Sequence, residues 1–246
     1  METWIEFGRG PLFRFSFALM VLGLLRILAL TFIGMIEAFR QSPDKILPWK
    51  DLLRNTVGWL FPVRRLWTKR PVYSATSLLF HIGLIWVPLF LSAHVLLWKQ
   101  AVGFAWATIP QKLADRLTLV VIIAGLSIFL GRLLHSGARK ISRRQDYMWP
   151  LLLVVPFATG FVCTNGNIAP ATYQVMMLFH IYAGNLILIL IPFTKIAHCV
   201  LAPLSQFVSG LAWKFRPGAG DKVAATLGYQ EQPSWLEKAR LTKREV

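Results

Sequence analysis

Charge is scarce in this chain and acidic charge scarcer: 15% of the 246 residues are charged, with 11 Asp and Glu against 27 Lys and Arg. Cysteine is almost missing, at two residues. Two thiols are too few to hold an iron–sulfur cluster. No CxxCH run occurs, which excludes ordinary c-type haem attachment in this chain. Cys163 and Cys199 fall at opposite ends of the predicted bundle, so a disulfide between them is not expected. The alternating ten-residue apolar segments of a membrane β-barrel are absent as well.

What the chain has is apolar length. Hydrophobic residues make up 55% and the mean hydropathy is +0.53, too apolar for a soluble domain of this size. A spanning helix needs about 20 mostly apolar residues to cross roughly 30 Å of hydrocarbon. Five stretches meet that length: 11–38, 73–98, 114–134, 147–163 and 172–198. They predict an all-α integral membrane bundle of five transmembrane helices in one domain, 1–203, followed by a cytoplasmic tail, 204–246. The N-terminal METWIEFGRGPLFRF starts acidic and lacks a small-residue cleavage site, so the first helix is expected to be retained.

The basic residues are unevenly placed. Eight lie between the first and second helices: Arg40, Lys45, Lys50, Arg54, Arg64, Arg65, Lys69 and Arg70. Five lie between the third and fourth: Arg132, Arg139, Lys140, Arg143 and Arg144. Eight more follow from Lys195 to Arg244. The other side holds only Arg9, Arg14, Lys99, Lys112 and Arg116, which makes 21 against 5, with Arg26 alone inside the first helix. The positive-inside rule then predicts the N-terminus outside and the C-terminus in the cytoplasm. Charge spread over loops in this way does not form the single basic face of a nucleic-acid binder. Between Trp49 and Phe61, after Pro48, the residues Trp49, Leu52, Leu53, Val57 and Leu60 recur at helical spacing opposite Lys50, Asp51 and Arg54. This predicts a helix lying in the membrane interface or packed on the bundle.

Four of the five histidines fall within or at the end of predicted spans: His81, His94, His180 and His198. Ionisable groups inside a bilayer are costly and commonly functional. His180 and His198 are 18 residues apart, about five full turns of an ideal helix, which puts them on one face roughly 27 Å apart along the axis. A helix serving two stacked haems needs that arrangement, because each iron takes one axial ligand from each of two facing helices. Depth in the bundle pairs His94 with His180 and His81 with His198. His81 and His94 are 13 residues apart, about 220° of turn, so on an ideal helix they do not share a face. Pro88 lies between them and can kink the helix. His135, in GRLLHSGARK, reads as part of a solvated basic rim, with an inner ligand as the alternative. Gly83 and Gly184 are candidates to admit a flat macrocycle, their plainer reading being close helix packing. Arg26 and Arg132 are candidates to pair with haem propionates.

The chain resembles the γ subunit of respiratory nitrate reductases, a five-helix dihaem cytochrome b, and the related cytochrome b subunits of transmembrane redox complexes in sulfate-reducing bacteria. LLFHIG at 78–83, Asp146–Tyr147, Thr159–Gly160, IPFTKIAHCVLAP at 191–203 and the His180–His198 spacing carry the resemblance, over roughly 10–205. It implies that the second and fifth helices each supply one ligand to each of two b haems. His81 and His198 would then hold the inner one and His180 one side of the outer. The nitrate reductase branch has its second histidine about ten residues after the first; that position here is Leu91, and His94 is the nearest replacement. The resemblance further implies quinol oxidation or quinone (menaquinone) reduction beside a haem, in a bacterial or archaeal cytoplasmic membrane. Partner subunits would carry iron–sulfur, molybdenum or multihaem cofactors. Lys99, Lys112 and Asp115, with Asn165 and Asn167, are the candidates for the quinone site. A single-haem membrane anchor and a histidine-containing transporter or proton pathway are the alternatives.

Overall fold

The computed structural model describes residues 1–41, 49–60, 68 and 70–215; Lys45, Phe61, Arg64, Arg65, Lys69 and the predicted tail beyond Phe215 lie outside the described residues. Among the described residues the chain is helical, with no strand beyond an isolated bridge between Leu91 and Ile109. In chain order come α1 (Glu2–Phe7), a π-helical turn (Gly8–Leu12), α2 (Phe13–Gln41), α3 (Trp49–Leu60), α4 (Pro71–Phe90) and α5 (Ser92–Val102). Then follow α6 (Gln111–Leu134), α7 (Ser136–Ile141), α8 (Arg144–Asn165), α9 (Pro170–Leu190), two short 3-10 turns (Ile191–Phe193 and Lys195–Ala197) and α10 (His198–Phe215). Five segments are long and apolar enough to cross a membrane: Glu2–Gln41, Pro71–Phe90, Gln111–Leu134, Arg144–Asn165 and Pro170–Phe193.

Three of the predicted spans differ from these only at their ends, whereas the second and fifth need correction. The second is not one helix over 73–98: Leu91 is extended (φ −65°, ψ 132°) and separates α4 from α5. The fifth is not one helix over 172–198: Thr194 is extended (φ −133°, ψ −178°), and the chain restarts as α10 at His198. Both breaks follow a proline, Pro88 and Pro192, whose ring removes an amide donor and crowds the preceding turn. α10 runs through residue 203 to Phe215.

The described residues fall into two compact units, one within Met1–Arg26 and Pro62–His198, the other within Ile27–Phe61 and Cys199–Val246. In the first, α4 packs on α6, α6 on α8 and α8 on α9. Proline at the first turn starts both α4 and α9, where its missing N–H costs nothing. The centre of this unit is Phe80, Val87, Val121, Ala124, Trp149, Leu153 and Phe157, all buried. Large apolar side chains elsewhere in this unit are exposed, among them Phe15, Leu22, Ile85, Ile123 and Phe179. An apolar outside around a closely packed interior is how helices associate where lipid is as apolar as leucine. In the second unit Leu52 of α3 is buried among Met35, Ala38, Phe39 and Phe207, while Trp49, Leu53 and Val57 stay exposed.

Gly83 belongs to this packing. A Cβ there would press into the Val121 side chain and lie 3.0 Å from the Leu117 carbonyl oxygen, so the residue seats α4 against α6. Gly83→Ala is expected to cost about 1–3 kcal/mol by overpacking. Unfolding in mixed micelles followed by circular dichroism measures it; a neutral result would show that α4 and α6 do not pack this closely.

Candidate metal centres

Two facing pairs of imidazoles lie at opposite ends of the first unit. The rings of His81 (α4) and His198 (start of α10) have centroids 6.0 Å apart and cross at 87°. Those of His94 (α5) and His180 (α9) are 5.9 Å apart and nearly parallel, at 8°. An imidazole nitrogen sits about 2 Å from a metal it binds, so two rings sharing one ion across a straight axis hold their centroids a little over ~6 Å apart. Both pairs, at 6.0 and 5.9 Å, fall slightly short of that spacing. Among the described residues no group of three or more His, Cys, Asp and Glu converges.

The four rings share a second property. His81 Nδ1 donates to Ser77 O at 2.6 Å, His180 Nδ1 to Pro156 O at 2.7 Å, and His198 Nδ1 to Lys195 O at 2.8 Å. His94 Nδ1 donates to Val87 O at 3.3 Å. A backbone carbonyl can only accept, so each contact fixes the proton on Nδ1 and leaves Nε2 as the free lone pair. Metal-binding histidines are commonly held this way by their outer nitrogen, which fixes the tautomer and raises ligand basicity.

The helix breaks are what bring the second histidine of each segment into its pair. They lie three residues before His94 and four before His198, so rotation angles counted along a continuous helix do not apply to either. Breaking a helix strands carbonyls that lose their i+4 donors. At Leu91 they are re-satisfied from outside the turn. Trp98 Nε1 donates to Pro88 O at 3.3 Å, Trp106 Nε1 to Leu89 O at 2.7 Å, and Ile109 N to Phe90 O at 2.9 Å. At Thr194 one side chain serves both sides of the break: its hydroxyl donates to Leu190 O at 2.9 Å and accepts from Ile196 N at 3.4 Å.

In the sequence Gly160 stands out only as part of the Thr159–Gly160 pair, with no sign of its role. A Cβ there would stand 2.9 Å from both Nδ1 and Cε1 of His180, so the imidazole lies where only a glycine leaves room. A Cβ on Gly184, one turn after His180, would meet nothing within 4 Å, so the space beside it is open. Arg26 makes no hydrogen bond or ion pair among the described residues. Arg132 donates from Nη1 to Ser142 Oγ at 3.2 Å, while its buried Nε has no acceptor. His135 is exposed and stands apart from both pairs as the residue preceding α7. Of the polar candidates at the other end, Asp115 accepts from Gln111 Nε2 at 2.9 Å and from Asn165 Nδ2 at 3.3 Å. Lys99 and Lys112 are exposed and outside that cluster.

No family model matches the chain, and no solved structure does. It is similar to a protein of Nitratidesulfovibrio vulgaris (strain Hildenborough) described simply as "Protein", at 29% identity over 191 residues, covering 77% of this chain and 83% of the relative.

Thr194→Val keeps the shape of the side chain and removes both hydrogen bonds at the break. It is expected to cost about 1 kcal/mol, the usual worth of a helix cap, and to speed hydrogen exchange at the Ile196 amide. Unchanged exchange would show that the hydroxyl does not hold the turn.

Proposed function

We propose that this chain is the membrane cytochrome b subunit of a respiratory complex. It moves electrons across the bilayer between a quinone pool and a partner redox subunit through two bis-histidine b haems. The observation that carries this reading is the pair of imidazole couples, 6.0 and 5.9 Å between centroids, each ring tied at Nδ1 to a backbone carbonyl. A haem fills four metal positions itself and asks a protein for two opposed ligands. His81 with His198 and His94 with His180 would hold the two groups. When bound, each haem supplies a one-electron couple whose potential the protein tunes through ligand basicity, hydrogen bonding and burial.

The bias of Lys and Arg supports an outer position for His94 and His180 and a cytoplasmic one for His81 and His198. Gly184 leaves room next to the outer pair. Arg26, with no protein partner among the described residues, and Arg132, with its orphan Nε, are the cations offered to haem carboxylates. A buried donor without an acceptor is costly enough to call for a partner. On the outer side the Asp115–Gln111–Asn165 cluster can take a proton from a quinol hydroxyl. Broken helices are also a mark of transporters. Those breaks sit at mid-membrane, whereas α4 and α9 each run about 30 Å, a full hydrocarbon thickness, before they break.

The full chain, expressed under haem-replete conditions and purified in detergent, is expected to hold two b haems by pyridine haemochrome. His198→Ala and His180→Ala should each lose one, and not the same one. No haem in the unmodified protein would sink this reading in favour of a transporter or proton pathway; one haem would favour a single-haem anchor. Asp115→Asn should keep both haems and slow their reduction by a menaquinol analogue by roughly 10²-fold, the usual worth of a proton-transfer group. An unchanged rate would remove Asp115 from the quinone site.

A further inference from the structure

α8 carries no histidine, yet it holds both histidines that the following segment presents. Pro156 and Gly160 are four residues apart and so lie one turn apart on the same side of the helix. Pro156 O accepts from His180 Nδ1 at 2.7 Å, and the absence of a side chain on Gly160 makes room for the same ring. At the other end of α8, in its first turn, Asp146 Oδ2 accepts from Arg143 N at 2.8 Å. Lys195 Nζ donates to both oxygens of that carboxylate, at 2.7 and 2.8 Å. Lys195 is also the residue whose carbonyl accepts from His198 Nδ1 at 2.8 Å. Its side chain is thus fastened to α8 while its backbone fastens the imidazole.

Resting on the two-haem reading above, we propose that α8 is the alignment helix of both centres. Pro156 and Gly160 set the ring of His180, and Asp146, acting through Lys195, sets the ring of His198. His198 needs such a tie because the chain between Leu190 and His198 is two short 3-10 turns around an extended Thr194, with few backbone bonds of its own. An exposed ion pair would do little. This one is fixed at the carboxylate, whose side chain is 15% exposed with both oxygens engaged by the ammonium, while the lysine side is 45% exposed. Asp146 itself is anchored to the helix start by the Arg143 amide. Gly160, Asp146 and Lys195 are positioning residues; none of them meets the metal.

The test uses the full chain in detergent, with haem content and a potentiometric titration resolved for each haem by optical spectroscopy. His180→Ala and His198→Ala identify which signal belongs to which centre. Loss of the carbonyl from Nδ1 makes the imidazole a poorer donor to ferric iron, so the potential of that centre rises, and partners of this kind are worth roughly 10–100-fold in metal affinity. Gly160→Ala should disturb only the centre that His180→Ala removes. Lys195→Met should raise the potential, or lower the occupancy, only of the centre that His198→Ala removes, and Lys195→Arg should restore it. Deleting a cation near the iron would by charge alone lower the potential, so an upward shift reports the displaced carbonyl. A downward shift in Lys195→Met, or an absent shift at full occupancy, overturns the proposal, and so does loss of both centres together in either variant. Fewer than two haems in the unmodified chain is the separate failure of the reading on which it rests.

Discussion

A helix broken near hydrocarbon strands carbonyl groups that water is not there to satisfy, and the geometry of both imidazole pairs depends on how two such breaks are made good. At Leu91 the donors come from far along the chain: Trp98, Trp106 and the amide of Ile109. At Thr194 one hydroxyl closes the turn locally. Only with these bonds in place can His94 and His198 leave the rotation that an unbroken helix would impose on them. The tryptophans near the end of α5 are thus part of the scaffold of an imidazole pair with which they make no ring–ring contact.

The five spans are readable because hydropathy over about 20 residues is a coarse and robust quantity. The breaks are not, since a proline marks a neighbourhood and leaves open which later residue turns. Pro88 precedes the extended residue by three positions and Pro192 by two. For the same reason the 13-residue spacing of His81 and His94 looks incompatible with a shared partner segment, when the incompatibility belongs to an ideal helix that the chain does not form. The 18-residue spacing of His180 and His198 looks ideal for a reason that does not hold either, because α9 ends at Leu190.

Glycines illustrate the same limit. Gly83, beside His81 in sequence, suggests room for a flat group, and its space is filled by Val121 and Leu117 of α6. Gly160, distant in sequence from any histidine, is the one that makes room for an imidazole. Neighbourhood along the chain and neighbourhood across a helix contact are independent, and only pairing of α8 with α9 reveals the second. Asp146 and Lys195 are likewise 49 residues apart, and nothing in either local sequence marks them as partners.

The two ring pairs share composition and spacing and differ in one angle, 87° against 8°. Imidazole donates π density to iron perpendicular to its own plane. Crossed rings push on two d orbitals alike and leave them nearly degenerate, whereas parallel rings push on one and split the pair. On the two-haem proposal, ferric ions held in these frames would therefore differ in magnetic anisotropy, the crossed pair giving a single steep g feature and the parallel pair three resolved ones. Low-temperature electron paramagnetic resonance could then follow each end of the bundle separately, with no label and no substitution.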